Sequence, residues 1–146
     1  MKYFYVVFVV LISNCTGNPS LKEMKNQGIE ADSMLTYWYE PSVSTVSGIL
    51  TLEKFWGPPG YGEDTTVDKV ETEYILVLEK PITVVANDSS GNFEETRSGI
   101  FKLEIVAGTN LDQFLGKRVT MTGGFFGAVT GHHHTDVLLT LVKIAE

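Results

Sequence analysis

Every histidine of this 146-residue chain falls in one run, Gly131-His132-His133-His134-Thr135-Asp136. Imidazole is the side chain best suited to bind a transition metal or to change charge near neutral pH. In extended backbone alternate side chains share a face, so His132, His134 and Asp136 are expected on one side and His133 on the other. A His-x-His-x-Asp row offers two imidazoles and a carboxylate to zinc or to another transition metal such as copper or nickel. The same imidazoles can hydrogen-bond a metal-free ligand, or serve the loop itself by bonding backbone carbonyls and stacking on Trp56 or Tyr61.

A second unusual segment is Trp56-Gly57-Pro58-Pro59-Gly60-Tyr61-Gly62. Pro58 and Pro59 stiffen it, so Trp56 and Tyr61 lose little conformational freedom if they meet a ligand there. Aromatic faces suit sugars, peptides or the apolar anchor of a protein. They also suit burial over the end of the fold. The acidic stretch that follows, with Glu63, Asp64, Asp68, Glu71 and Glu73, lacks the spacing of an EF-hand loop and reads as a solvated face. It offers at most a docking surface for a basic partner. Support for catalysis is thin: there is no Gly-x-Ser-x-Gly elbow, and histidine and aspartate in one loop do not make a triad. A metal-dependent hydrolase is the weaker alternative, and no catalytic residue is assigned.

The N-terminus sets the compartment. Lys2 precedes an apolar run from Tyr3 to Ile12, too short to span a bilayer but of the length of a signal core. The run ends at Ile12-Ser13-Asn14-Cys15, which resembles the bacterial lipobox except that Asn14 replaces the usual small residue. The expectation is a signal peptide over residues 1–14, a lipid-modified Cys15, a polar tether over 15–36 and one folded domain over 37–146. Cys15 is the only cysteine, so no intrachain disulfide staples the fold. The net charge of -7 disfavours nucleic acid, whose backbone demands lysine and arginine. Membrane association is expected through the lipid anchor at Cys15, in the bacterial periplasm or at the outer membrane.

The chemistry-bearing segments lie between strand-like runs. Val43 to Phe55 is rich in β-branched residues, with alternation around Val46, Gly48, Leu50 and Leu52, and Tyr74 to Leu78 is a second strand, with Pro81 marking its end or an edge. From Gly99 to Val106, Phe101, Leu103 and Ile105 alternate with Lys102 and Glu104. Asn110 caps a short helix through Leu111, Phe114 and Leu115 that Gly116 closes. Lys117 to Phe126 and Val137 to Ile144 complete the set, the last apolar enough to be buried on both faces. The expected class is all-β with one short helix, a five-stranded OB-fold-like small barrel, with a β-sandwich fragment as the alternative. In that arrangement the loops after the first and fourth strands flank one face, which brings the Trp56–Tyr61 bend and the histidine run to a common rim.

The segments Gly116-Lys117-Arg118-Val119-Thr120-Met121-Thr122-Gly123, Thr130-Gly131-His132-His133-His134-Thr135 and Val137-Leu138-Leu139-Thr140 resemble the bacterial family called domain of unknown function 4431. Tyr39-Glu40-Pro41, Phe55 to Tyr61 and Leu78 to Ile82 extend the resemblance over residues 39–144. Gly60 stands where that family often has asparagine, and Gly127 where it often has histidine. The resemblance implies a Gram-negative envelope setting and supplies no activity. The residues then read as a non-catalytic binding module for an envelope protein or glycan. Its ligand-binding set is Trp56, Pro58, Pro59, Tyr61, His132, His133 and His134. A metal-binding lipoprotein using His132, His134 and Asp136 is the alternative.

Overall fold

The computed structural model describes residues 34–86 and 94–146. The expected signal peptide, Cys15 and the tether up to residue 33 lie outside the described residues. Among these residues six strands follow in order: β1 (Leu35–Trp38), β2 (Val43–Trp56), β3 (Val70–Val85), β4 (Arg97–Val106), β5 (Arg118–Gly127) and β6 (Val137–Ala145), with a 3-10 turn at Asp112–Phe114 between β4 and β5. The chain is therefore all-β, as its alternation and β-branched runs require. None of the described residues forms a helix long and apolar enough to cross a membrane.

One sheet, ordered β1-β3-β2-β5-β6-β4, closes on itself through a β3–β4 pairing. The result is a barrel-like ring of five strands in which only β4 and β6 run parallel. Its interior is filled by Leu50, Leu76, Leu103, Val119, Met121, Phe125 and Leu139, all essentially inaccessible to water. Leu111, also buried, enters this core from the 3-10 turn.

Three expectations need correction. The sheet has six strands, because Leu35–Trp38 adds in parallel to Ile82–Val85. This strand begins inside the expected tether, and four mostly exposed residues give too little alternation to announce it. The short helix is one 3-10 turn. Gly116 N–H donates to Leu50 O at 2.8 Å and Leu50 N–H to Lys117 O at 3.1 Å, so the sheet recaptures the chain before a second turn can form. Pro81 does not end its strand. β3 runs through it, and Pro81 sits where the pairing with β4 shifts register between Val77 and Ile82, a place where a missing N–H removes no ladder bond.

The same irregularity turns Phe101 outward. It is 53% exposed, whereas Leu103 and Ile105 are buried. The expected two-sided burial of β6 holds for Val137, Leu138 and Leu139 and fails further on at Val142, which is exposed.

Candidate functional site

The outer face of β2, β3 and β4 positions the site. Phe55 pairs across the ladder with Glu71, and Glu53 with Glu73. Ile75 pairs with Glu104 on β4, and Glu104 with Leu138 on β6. Side chains two residues apart share a face, so Glu71, Glu73 and Ile75 rise from the same side of β3. Four carboxylates, Glu53, Glu71, Glu73 and Glu104, thus border an apolar floor, and the β5–β6 loop reaches over Glu71 and Glu104.

Glu71 is the hub. His132 Nδ1 lies 2.6 Å from Glu71 Oε1, and His134 Nε2 lies 3.0 Å from Glu71 Oε2. A carboxylate accepts, so each imidazole donates through the named nitrogen. Burial works to raise the Glu71 carboxyl, but the hydrogen bonds and charges of His132 and His134 outweigh it and hold it below the usual carboxylate range. His134 is also stacked on Phe55, with centroids 4.3 Å apart and planes 2° apart. Its backbone N–H donates to Glu104 Oε2 at 2.6 Å. Glu104 N–H in turn donates to Thr135 Oγ1 at 3.0 Å, and the Thr135 hydroxyl to Val137 O at 2.8 Å. Glu104 is only 4% exposed, and this reciprocal bonding is what makes a buried carboxylate tolerable.

The proline loop meets this loop. Tyr61 and His132 are edge to face, with centroids 5.9 Å apart. A Cβ on Gly131 would fall 2.7 Å from Tyr61 Cζ, so only glycine allows the phenol ring to approach so closely. Tyr61 itself has φ 50°, a left-handed conformation that a bulky residue adopts only when its surroundings impose it. Asp68 imposes it, accepting from Gly60 N at 2.6 Å and Gly62 N at 2.7 Å. Gly57 N–H to Lys69 O and Lys69 N–H to Pro58 O close the base of the loop at 2.7 and 3.0 Å. The Pro58–Pro59 peptide is cis.

The expected rim therefore assembles in part. Tyr61, His132 and His134 converge around Glu71. Trp56 ends β2 and is 42% exposed, its indole lying along Gly62 rather than in ring contact with a histidine. His133 turns away, as expected. Its Nδ1 accepts from Val129 N at 3.0 Å, and its ring meets Phe126 edge on.

Asp136 does not join His132 and His134. The turn bond His133 N–H to Thr130 O and the closing bond Ala128 N–H to Asp136 O fold the run out of extended conformation. Asp136 is thereby carried to the start of β6, close enough to Tyr39 to act on its hydroxyl. That hydroxyl is raised by burial first, then by Glu94, with Asp136 adding to the effect. Among the described residues no group of three His, Cys, Asp or Glu side chains is arranged to hold a metal ion. The expected ligand set His132, His134 and Asp136 is replaced by a carboxylate–imidazole network centred on Glu71.

Sequence reasoning placed Asp68, Glu71 and Glu73 on a solvated face. Asp68 is buried and ties the loop, and Glu71 and Glu73 are half-buried. The overlooked signal is the two-residue spacing that sets Glu71 and Glu73 on the face of Ile75. Phe55 and Glu104 escaped notice because nothing local marks a covered residue on the outside of a ring.

Residues 104–145 match the family model described as Domain of unknown function (DUF4431). The matched segment runs from Glu104 through β5 and the histidine loop to the end of β6. The resemblance read from the sequence is thus shown over its C-terminal part, where the specific histidine run lies. No curated protein and no solved structure matches the chain.

Proposed function

We propose that this chain is an exported, lipid-anchored binding module of the bacterial envelope, without catalytic activity of its own, that takes a protein or glycan ligand at the rim where Tyr61 meets His132. The observation that carries this reading is the contact between those two side chains, from loops that β3, β4 and β5 separate in sequence. Tyr61 is 45% exposed and yet fixed, through Asp68 on one side and Gly131 on the other. His132 is exposed and yet oriented, because Glu71 holds its Nδ1. An imidazole donating through Nδ1 presents Nε2 as an acceptor, here beside an aromatic face. Preorganised groups of this kind bind with little ordering loss. Trp56 extends the apolar contact, and Pro58 and Pro59 keep the loop stiff.

Export and anchoring rest on the Tyr3–Ile12 run and Cys15. The acidic balance and the Glu53, Glu71, Glu73 and Glu104 face favour a ligand with donor or cationic groups and oppose nucleic acid.

The test uses mature, untagged protein. Capture from envelope extract and binding to an immobilised glycan panel are compared for wild type, Tyr61→Ala and His132→Ala. Retained ligand that both substitutions release supports the reading, and capture indifferent to both overturns it. Membrane fractionation with Cys15→Ser checks the anchor separately: release of the chain into the soluble fraction is expected. Elemental analysis of the same preparation addresses the metal alternative, since stoichiometric zinc or copper lost in a His132→Ala, His134→Ala double variant would replace this reading with metal handling.

A further inference from the structure

β4 is paired on both sides over only part of its length. β3 pairs with it from Arg97 to Glu104, whereas the β6 ladder covers only Glu104–Val106. No strand pairs on the β6 side of Arg97–Leu103 among the described residues. The ladder stops where Thr135 Oγ1 takes the Glu104 N–H and the chain turns into the histidine loop. An open depression of about 340 Å³ lies beside the free edge, between Gly99–Lys102 on one wall and His134–Asp136 on the other.

The backbone of that wall is a template. In an antiparallel ladder, outward-pointing amide and carbonyl pairs recur at every second residue. The Glu104 N–H points away from β3, toward Thr135, so the next outward pair belongs to Lys102. A row of such groups is matched by another extended backbone, with donors and acceptors at the same spacing, and not by sugar hydroxyls or acyl chains. Exposed Phe101 supplies an apolar contact on the same wall. A Cβ on Gly99 would meet nothing within 4 Å, which leaves that end of the groove open.

Charge selects among peptides. Lys102 is engaged by Glu53 at 2.8 Å and Arg97 by Glu95 at 3.3 Å. The exposed Asp136 carboxylate has no ion pair or side-chain hydrogen bond among the described residues. We propose that the free edge of β4, beside Asp136, is a docking site for an extended segment of a partner protein that carries a lysine or arginine. A second copy of this chain fits less well, because symmetric edge-to-edge pairing would bring two Asp136 carboxylates to the same groove. The site is distinct from the Tyr61–His132 rim and shares only His134 with it.

The experiment uses the full mature chain and three capped hexapeptides. The first alternates valine and threonine around one lysine, the second carries glutamate in place of the lysine, and the third is the lysine peptide N-methylated at alternate residues. Binding is followed by amide hydrogen exchange. Saturating lysine peptide is expected to slow exchange at the Lys102 amide by about tenfold or more, with the Glu104 amide unchanged. The glutamate peptide is expected to bind ~threefold more weakly, the size of one exposed ion pair. Asp136→Asn is expected to remove that preference while leaving Lys102 protection in place. N-methylation is expected to abolish binding. A Lys102 amide that stays unprotected at millimolar lysine peptide overturns the proposal. So does equal binding of the lysine and glutamate peptides to wild type, or a Lys102 amide already protected in a chain that sediments as a dimer.

Discussion

His134 lies flat on Phe55, ring centroids 4.3 Å apart, while its Nε2 donates to Glu71 Oε2 at 3.0 Å. Phe55 and Glu71 are partners across the β2–β3 ladder, so a single rung of the sheet supplies both the platform and the acceptor for the imidazole. Replacing Phe55 with leucine keeps an apolar side chain and removes the aromatic face. The expected loss is about 1 kcal/mol, the scale of one aromatic pair, read from urea unfolding. The His134 ring resonances should shift further than those of His133, which contacts Phe126 instead. Unchanged His134 resonances would mean that the stacking is incidental.

The two acids of this face respond to pH with opposite sign. Burial raises the Glu73 carboxyl, the nearby Glu104 charge raises it further, and His134 only partly opposes them. A carboxyl raised in the folded state contributes stability that is complete below its ordinary value and is lost as pH climbs through the raised one. Glu73→Gln makes the neutral form permanent. It should raise the urea midpoint at pH 7, and the gain should shrink toward pH 4. For Glu71, burial is outweighed by the bonds and charges of His132 and His134, and the carboxyl is lowered. Its contribution is present above the ordinary value and lost as pH falls through the lowered one. Glu71→Gln should therefore lower the midpoint at pH 7, with the deficit narrowing in acid. Two substitutions that moved the pH 7 midpoint in the same direction would contradict this division.

The ring was legible because its strands alternate. Val46 and Leu50 on β2, Leu103 and Ile105 on β4, and Val119 and Met121 on β5 bury the side that their spacing predicts, while Leu52 and Phe101, in the same rows, are exposed. The meeting of Tyr61 with His132 followed from strand order alone, since that order decides which loops share an end. Other features were hidden for physical reasons. β1 depends on a partner edge at Ile82–Val85, a tertiary interaction that four residues cannot signal. The extended geometry assumed for the histidine run was lost to two backbone bonds closing the loop, which separated Asp136 from His132 and His134. Glu104 reads as a surface acid because its cover, the backbone of His134 and the hydroxyl of Thr135, comes from thirty residues further along.

Asp68 holds the proline loop by accepting from the Gly60 and Gly62 amides at 2.6 and 2.7 Å. Asparagine at this position keeps one acceptor oxygen and turns an N–H₂ group toward the second amide. One buried donor then loses its partner, at a cost of about 2 kcal/mol. The consequence extends beyond stability, because these two bonds flank Tyr61 and hold it at φ 50°. Asp68→Asn should broaden the Tyr61 ring resonances, weaken the Tyr61–His132 contact and reduce ligand capture, while leaving the His134–Phe55 stacking unchanged. Urea unfolding and aromatic spectra on one sample test both halves.

Adjacent glycines on β5 should differ sharply. A Cβ on Gly123 would fall 2.1 Å from Thr140 O and 3.0 Å from its carbonyl carbon, both backbone atoms of β6. The register between β5 and β6 shifts at this point, between Thr122 and Gly123, and relief requires the strands to part in the wall of the ring. The nearest atoms to a Cβ on Gly124 belong to the Glu40 side chain, at 2.6 Å, a flexible group that can swing aside. Gly123→Ala is therefore expected to destabilise by about 3 kcal/mol, the upper range of overpacking where the backbone must move. Gly124→Ala is expected to stay within about 1 kcal/mol, as for a side chain that repacks locally. Matched urea titrations decide the point. Equal losses at the two positions would show that the close approach of β6 to Gly123 is not what fixes the small residue there.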